Sequence, residues 1–378
     1  MKNKINILMV IRWPVGGIRT FIRYVFRGFD TQNWSFTIIA PDIEEMRILI
    51  DDLSTQDVKF ISTVPEPSPA LLAIKVAETL MSGNYDIIHS HGFTSGLCSV
   101  GGSLLYRVPH IMTSHDVINR SQFDGQWGYI KRHIMSMVFS KIDIIHSVSN
   151  DAHNNLLEYF PTLCTKTGRC VVISNGIEID RFRKAISRDL RGELGLSDNV
   201  FLIGFMGRFM AQKGFRYLVD AVELLVRGEP LLRHPLVLTF GDGGFIREEQ
   251  AAIQKRGLIE FFTFLPFTDN IAGTVKGLDV VVMPSLWEAC GLLAMETMLC
   301  GVPLIASDCI GLREVVQGTP AKIVSKADSH GLYKAILSEI EMSTRDDFEN
   351  YIDIACEKYD VKRVRESLIN TYNALLTR

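Results

Sequence analysis

No stretch of this 378-residue chain is long and apolar enough to cross a bilayer. Basic residues do not outnumber acidic ones: 40 Lys and Arg against 43 Asp and Glu leave a net charge of −3, which gives no reason to expect nucleic acid, a partner that requires a concentrated basic face. The seven cysteines are odd in number and irregular in spacing, so they form no disulfide framework and suggest a reduced, cytosolic setting. "CTKTGRC" (Cys164, Cys170) is an isolated pair, too wide for a zinc knuckle. There is no G-x-G-x-x-G fingerprint, so dinucleotide binding has little support. No short repeat or low-complexity segment interrupts the chain. The lysines and apolar run of "MKNKINILMVIRWP" are too short for a secretory leader and lack a small-residue cleavage site, so this segment reads as a buried first strand.

What is present is ordinary globular material, 47% hydrophobic and 22% charged, in a chain long enough for two cores. Short apolar runs alternate with helical periodicity. "INILMVI", "SFTIIAP", "YDIIHSH", "PHIMTSHD" and "DIIHSVS" read as strands ending in polar residues, separated by segments such as "IRTFIRYVFRGF" and "SPALLAIKVAETLMS". The pattern restarts with "VFLIGFMGRF", "GFRYLVDAVELLVRG", "LVLTFGDGG", "FFTFLPF", "LDVVVMPS" and "VPLIAS". Parallel strands with crossover helices follow: an α/β chain of two facing Rossmann-like domains with a cleft at their strand ends. The expected boundaries are 1–176, a linker over 177–187 that starts after the Asn175–Gly176 turn, and 188–359, with the last helix in 360–378.

Several constellations could carry chemistry. In "SLWEACGLLAMET", Glu288 precedes a helix starting near Gly291, and Glu296 falls roughly two turns in. Carboxylates at a helix start would repel phosphate but suit hydroxyl groups, since one ionised carboxylate can accept from both hydroxyls of a diol. The plain alternative is a capping acid and a solvated helix glutamate. "MGRFMAQKG" puts Arg208 and Lys213 in a glycine loop between a strand and a helix, which suits a diphosphate, or else is a solvated turn. "PVGGIRTF" opens a helix at Gly16 and Gly17, where backbone could approach a phosphate or sugar closely, or simply turn. "GDGG" is a third glycine turn. Histidines 89, 91, 115 and 146 sit at strand ends. An H-x-H pair with Asp116 could begin a metal-hydrolase site, although His234 and His330 are poorly placed to complete one. His115 is better read as a polar group aimed into a cleft, and His146 as a packed, hydrogen-bonded residue. "WGYIKRHIMSMVFSK" mixes Lys131, Arg132 and Lys141 with apolar residues, as in an ordinary packing helix or one resting on an anionic membrane.

Taken in order, these residues resemble the retaining glycosyltransferases of group one, family four, which have the GT-B fold. The family's E-x7-E motif resembles "EACGLLAME", its G-R-x4-K-G element "GRFMAQKG", its linker start "NGIEIDRF", its G-D-G turn "GDGG" and its H-D "SHD". The resemblance spans nearly the whole chain and implies a C-terminal helix that crosses back to the first domain. It implies that Glu296 binds the ribose hydroxyls of a nucleotide sugar, Glu288 the donor sugar, and Arg208 with Lys213 the diphosphate. Gly291 and Leu292 would supply backbone donors, Gly16 and Gly17 would approach the phosphates, His115 would touch the transferred sugar, and Phe267 would flank the base. Two departures stand out: Ala289 in place of a usual glycine, and Ile310 in place of the first of two glycines before Leu312.

The expected activity is retaining, metal-independent transfer from a nucleotide diphosphate sugar to a glycan, lipid-linked or small acceptor, in cell-surface polysaccharide or glycoconjugate synthesis. No cofactor beyond that co-substrate is implied, nor is a nucleic acid partner. The expected location is the cytoplasm, with peripheral contact at the inner membrane face through the first domain. Rival readings are a nucleotide-sugar epimerase of the same architecture, a metal hydrolase built on "HSHG", and a member that binds without catalysis.

Overall fold

The structure is a computed structural model that describes residues 4–163, 165 and 168–377. The chain divides into two compact units, Met1–Gly176 together with Val361–Arg378, and Ile177–Asp360.

The first unit is built on seven parallel strands: β1 (Ile5–Ile11), β2 (Trp34–Pro41), β3 (Val58–Thr63), β4 (Ile87–His91), β5 (His110–Ser114), β6 (Ile144–Ser147) and β7 (Cys170–Val172), ordered β3-β2-β1-β4-β5-β6-β7. Central strands such as β4 and β5 are buried throughout, including their polar residues His89, Ser90, His91, His110, Thr113 and Ser114. The edge strands β3 and β7 are only partly buried.

The second unit has six parallel strands: β8 (Val200–Met206), β9 (His234–Phe240), β10 (Phe262–Leu265), β11 (Val280–Met283), β12 (Leu304–Asp308) and β13 (Lys322–Ser325), ordered β10-β9-β8-β11-β12-β13. Its core is rich in phenylalanine, with Phe201, Phe205, Phe209 and Phe262 clustered with Phe215 and the other buried residues of the helix Phe215–Arg227. Both sheets reverse strand order once, between β1 and β4 and between β8 and β11. At such switch points the loops after the strands part and leave room for a ligand.

The C-terminal helix Val361–Leu376 belongs to the first unit and buries Val361, Val364, Leu368, Tyr372 and Leu375, one helical face. Arg365 donates to the carbonyls of Val25 (2.8 Å) and Tyr24 (3.2 Å), capping the helix Gly17–Phe26. A Cβ at Gly28 would lie 2.2 Å from that guanidinium carbon, so the glycine makes the cap possible.

One expectation needs correction. Cys170 is disulfide-bonded, whereas the cysteine pattern read as wholly reduced. Cys164, the other cysteine of that segment, lies outside the described residues. Cysteines 98, 290, 300, 309 and 356 are not in disulfides. Among the described residues no helix is long and apolar enough to cross a membrane.

Candidate functional site

In the second unit the chemistry collects where β8 and β11 end. After β8 the chain turns through Gly207 at φ 137° and Gly214 at φ 65°, both in the left-handed region that favours glycine. Between them Phe209 is 1% exposed and packs on Phe205, Phe215 and Phe264. That anchor fixes the loop and leaves its neighbour Arg208 exposed. Among the described residues Arg208 makes no hydrogen bond or ion pair. The "GDGG" turn braces the loop from behind: Gly207 N–H donates to Phe240 O, Phe209 N–H to Asp242 O, and a Cβ at Gly241 would lie 2.2 Å from Gly207 O.

The loop after β11 is tied to the loop after β8 in both directions. Leu286 N–H donates to Gln212 O (2.8 Å), and Gln212 Nε2 donates to Trp287 O (2.9 Å). This brings two expected site residues together. Lys213 Nζ donates to Glu288 Oε1 at 2.7 Å, and Ser285 Oγ donates to the same oxygen at 2.7 Å. Glu288 N–H donates to Ile310 O (2.9 Å), and Ser307 Oγ donates to Ser285 O. The acid and the cation, expected at different parts of a ligand, are therefore partners. Of the glycine pair before Leu312, the one retained is the one that the geometry requires. Gly311 has φ 75°, and a Cβ there would lie 2.1 Å from Glu288 O.

Glu296 is 7% exposed on the helix Leu292–Leu299. Gly291 is the N-cap, so Glu296 is about one and a half turns in, not two. The Leu292 N–H is turned to Cys290 O at 2.9 Å, so it is not the open donor expected there. Phe267, 54% exposed, follows the edge strand β10, two strands from β8.

Gly16, Gly17 and His115 belong to the first unit. Gly16 caps the helix Gly17–Phe26 at φ 55°, and a Cβ at Gly17 would meet nothing within 4 Å. The space beside it is open.

The strand-end histidines form a connected set. His146 Nε2 lies 3.0 Å from Ile173 O, which can only accept, so Nε2 carries the proton. Burial pushes His146 down to about 4, so the ring is neutral and Nδ1 accepts from Thr113 Oγ1 (2.9 Å). That hydroxyl, its one proton spent, accepts from His89 Nε2–H (2.6 Å), and His89 Nδ1 accepts from Tyr372 O–H (2.6 Å). The relay runs one way, from the C-terminal helix across β4, β5 and β6. His146 is thus packed and hydrogen-bonded. His91 Nδ1 faces His115 Nε2 at 3.0 Å, with the rings stacked. Burial first, then neighbouring histidines, holds His89, His91 and His115 well below the usual imidazole range. Among the described residues no group of three His, Cys, Asp or Glu is arranged to hold a metal. Both nitrogens of His89 in the H-x-H pair are engaged with Tyr372 and Thr113.

Two family descriptions match the chain: Glycosyltransferase Family 4 over residues 15–181, and Glycosyl transferases group 1 over residues 200–341. The chain belongs to the group 1, family 4 glycosyltransferases. It is 28% identical over 302 residues to the alpha-maltose-1-phosphate synthase of Mycolicibacterium smegmatis, covering 73% of this chain and 76% of that one. It is 30% identical over 252 residues to the D-inositol 3-phosphate glycosyltransferase of Corynebacterium jeikeium, covering 62% of this chain and 59% of the relative. The chain thus spans about six-tenths of the length of the latter enzyme. Among solved structures, Anabaena Alr3699/HepE in complex with UDP-glucose superposes with a TM-score of 0.83 at 21% identity, covering 98% of this chain and 99% of that one. The two-domain α/β fold is that of the GT-B glycosyltransferases.

Sequence reasoning missed four residues that shape this family 4 site: Ser285, Gln212, Phe209 and Gly311. Ser285 stands three residues before Glu288 in "SLWE", but the capping-box spacing pairs each side chain with a backbone N–H and does not predict their direct bond. Gln212 stood beside Lys213 without any spacing rule to mark it.

Proposed function

We propose that the chain is a retaining glycosyltransferase that moves a sugar from a nucleotide diphosphate donor to a glycan, lipid-linked or small acceptor, in cell-surface polysaccharide or glycoconjugate synthesis. The observation that carries this is the Lys213–Glu288–Ser285 cluster beside the exposed Arg208, at the switch point of the second sheet. Two cations there suit a diphosphate whose charge grows as the glycosidic bond breaks. They also supply the charge that a divalent metal gives elsewhere, so the reaction is proposed to need no metal. Glu288 is read as a sugar-orienting group. Its Oε1 is held by an ammonium and a hydroxyl, and retention is proposed to proceed by front-face attack without a glycosyl-enzyme intermediate.

Glu296 is assigned to ribose hydroxyls, Gly16 and Gly17 to the phosphates, His115 to the transferred sugar, Gly291 to the donor by its backbone, and Phe267 to the base. The UDP-glucose of the Anabaena protein supports a nucleotide sugar as donor class. Peripheral membrane contact is proposed for the helix Gly125–Phe139. Trp127 (83% exposed), Ile130, Ile134 and Met137 line one face of it, flanked by Lys131 and Arg132.

The test is transfer from a panel of nucleotide sugars with acceptor present, with excess chelator, and with the product anomer read by NMR. Lys213→Ala should lower turnover on the order of tenfold or more. Conversion of donor without acceptor would mark an epimerase instead, and loss of activity on chelation would remove the metal-free claim.

A further inference from the structure

We propose that His91 is a positioning residue for His115, donating its Nδ1–H to His115 Nε2 and so holding that ring in the tautomer that presents Nδ1–H. The proposal rests on the reading above, in which His115 meets the transferred sugar.

His91 ends β4 and is 1% exposed, while His115 lies one residue beyond β5 and keeps some surface. The strands pair in register, so the two imidazoles stack with centroids 5.3 Å apart and 26° between planes. Phe21 abuts His115 edge-on at 4.9 Å and His89 lies 4.1 Å from His91, so neither ring can swing away cheaply. Both rings are neutral, and only one proton fits the 3.0 Å gap between Nδ1 of His91 and Nε2 of His115.

The two possible arrangements differ at the far nitrogen of His91. Its Nε2 is buried and has no hydrogen-bond partner among the described residues. If His115 donated, His91 would carry its own proton on Nε2, leaving a buried N–H unpaired. If His91 donates, Nε2 is a bare lone pair. Buried N–H groups are left orphaned more rarely than acceptors, so the second arrangement is favoured. His115 must then carry its proton on Nδ1. A fixed N–H donor suits a sugar hydroxyl or ring oxygen, and the His91 side chain selects it without touching the ligand.

The tautomers can be read directly by long-range 1H–15N correlation on the full chain labelled with 15N-histidine, with resonances assigned by single substitutions. The expected pattern is protonated Nδ1 and bare Nε2 on both His91 and His115. A proton on His115 Nε2 overturns the proposal, whether or not the chain transfers sugar. Kinetics give the second arm. His91→Phe keeps the ring but not the donor and should lower kcat on the order of 10–100-fold, the size of effect that outer partners have on metal-ligating histidines. His91→Asn, whose amide replaces the Nδ1–H, should recover most of it. A His91→Phe protein with native circular dichroism and wild-type kcat also overturns the proposal.

Discussion

Mild acid should weaken the first unit well before its carboxylates titrate. The perturbation is a drop in pH from about 7.5 to about 5.5, across the range where an ordinary histidine takes up a proton. His89, His91, His110 and His146 are each at most 1% exposed. Burial is the main cause that lowers all four, to about 4 for His146 and about 3 for His110. Neighbouring histidines add to it for His89 and His91, and no carboxylate appears among the causes. Because their folded values lie below the unfolded one, the unfolded chain binds protons that the native unit refuses. Stability is therefore intact above about pH 6.5 and falls as pH drops below it, until the folded values are reached. At about pH 5.5 each such ring costs about 1.4 kcal/mol, and almost nothing at about pH 7.5. Four together cost about 6 kcal/mol, comparable with the whole stability of a domain. The assay is urea unfolding followed by the fluorescence of Trp34, buried against Phe29 and Tyr372, with Trp13→Phe, Trp127→Phe and Trp287→Phe leaving it as sole reporter. His146→Gln keeps a donor for Ile173 and should reduce the loss by about one histidine's share. A total fall smaller than one histidine's share would refute the reasoning.

Four further outcomes are expected. Lys213→Arg should remain impaired like Lys213→Ala, because a planar fork does not replace a compact ammonium shared between Glu288 and an anion; steady-state kinetics with a saturating acceptor decide it. Glu296→Ala should raise the donor's Kd on the order of tenfold or more by removing a charged acceptor, measured by isothermal titration with the nucleoside diphosphate. Gly311→Ala should lose roughly 1–3 kcal/mol or more and most activity, through left-handed strain plus a clash with Glu288 O. Gly318→Ala, with φ 71° and open space, isolates the strain alone, so equal effects from the two would disprove the clash. Tyr372→Phe should cost about 1–3 kcal/mol by leaving His89 Nδ1 unpaired, and should speed proteolysis of the C-terminal helix; unchanged cleavage would count against the relay.

Most strands legible in the sequence are interior to their sheets, and the edge strand β10 was legible through its aromatic run "FFTFLPF". "INILMVI" is β1 to the residue, and "VKRVRESLINTYNALL" is the last helix to the residue. The missed strands, β3, β7 and β13, are sheet edges. One-sided burial leaves only weak alternation there, as in "VKFIST" and "KIVS", and β7 is only three residues long. At the site, residue types and their order gave the charges but not their partners. Lys213 and Glu288 are 75 positions apart, and their contact depends on two strands lying side by side. Likewise, nothing in "HSHG" told that one histidine would face Tyr372, a residue 283 positions away.

The pairing of Lys213 with Glu288 also bears on how an acid and a cation can serve different ends of one ligand. A carboxylate buried without a partner is costly, and the ammonium with Ser285 offsets that cost before any ligand arrives. An ammonium has three donors, and this contact uses one of them. Lys213 need not leave Glu288 to take a phosphate oxygen, so the same nitrogen can bridge the anionic and the sugar ends of a donor. Arg208 differs: it is exposed and has no hydrogen-bond or ion-pair partner among the described residues, so its whole fork is available to an anion. On the proposed reading, then, Lys213 fixes where the scissile bond sits relative to Glu288, while Arg208 chiefly stabilises the charge that leaves.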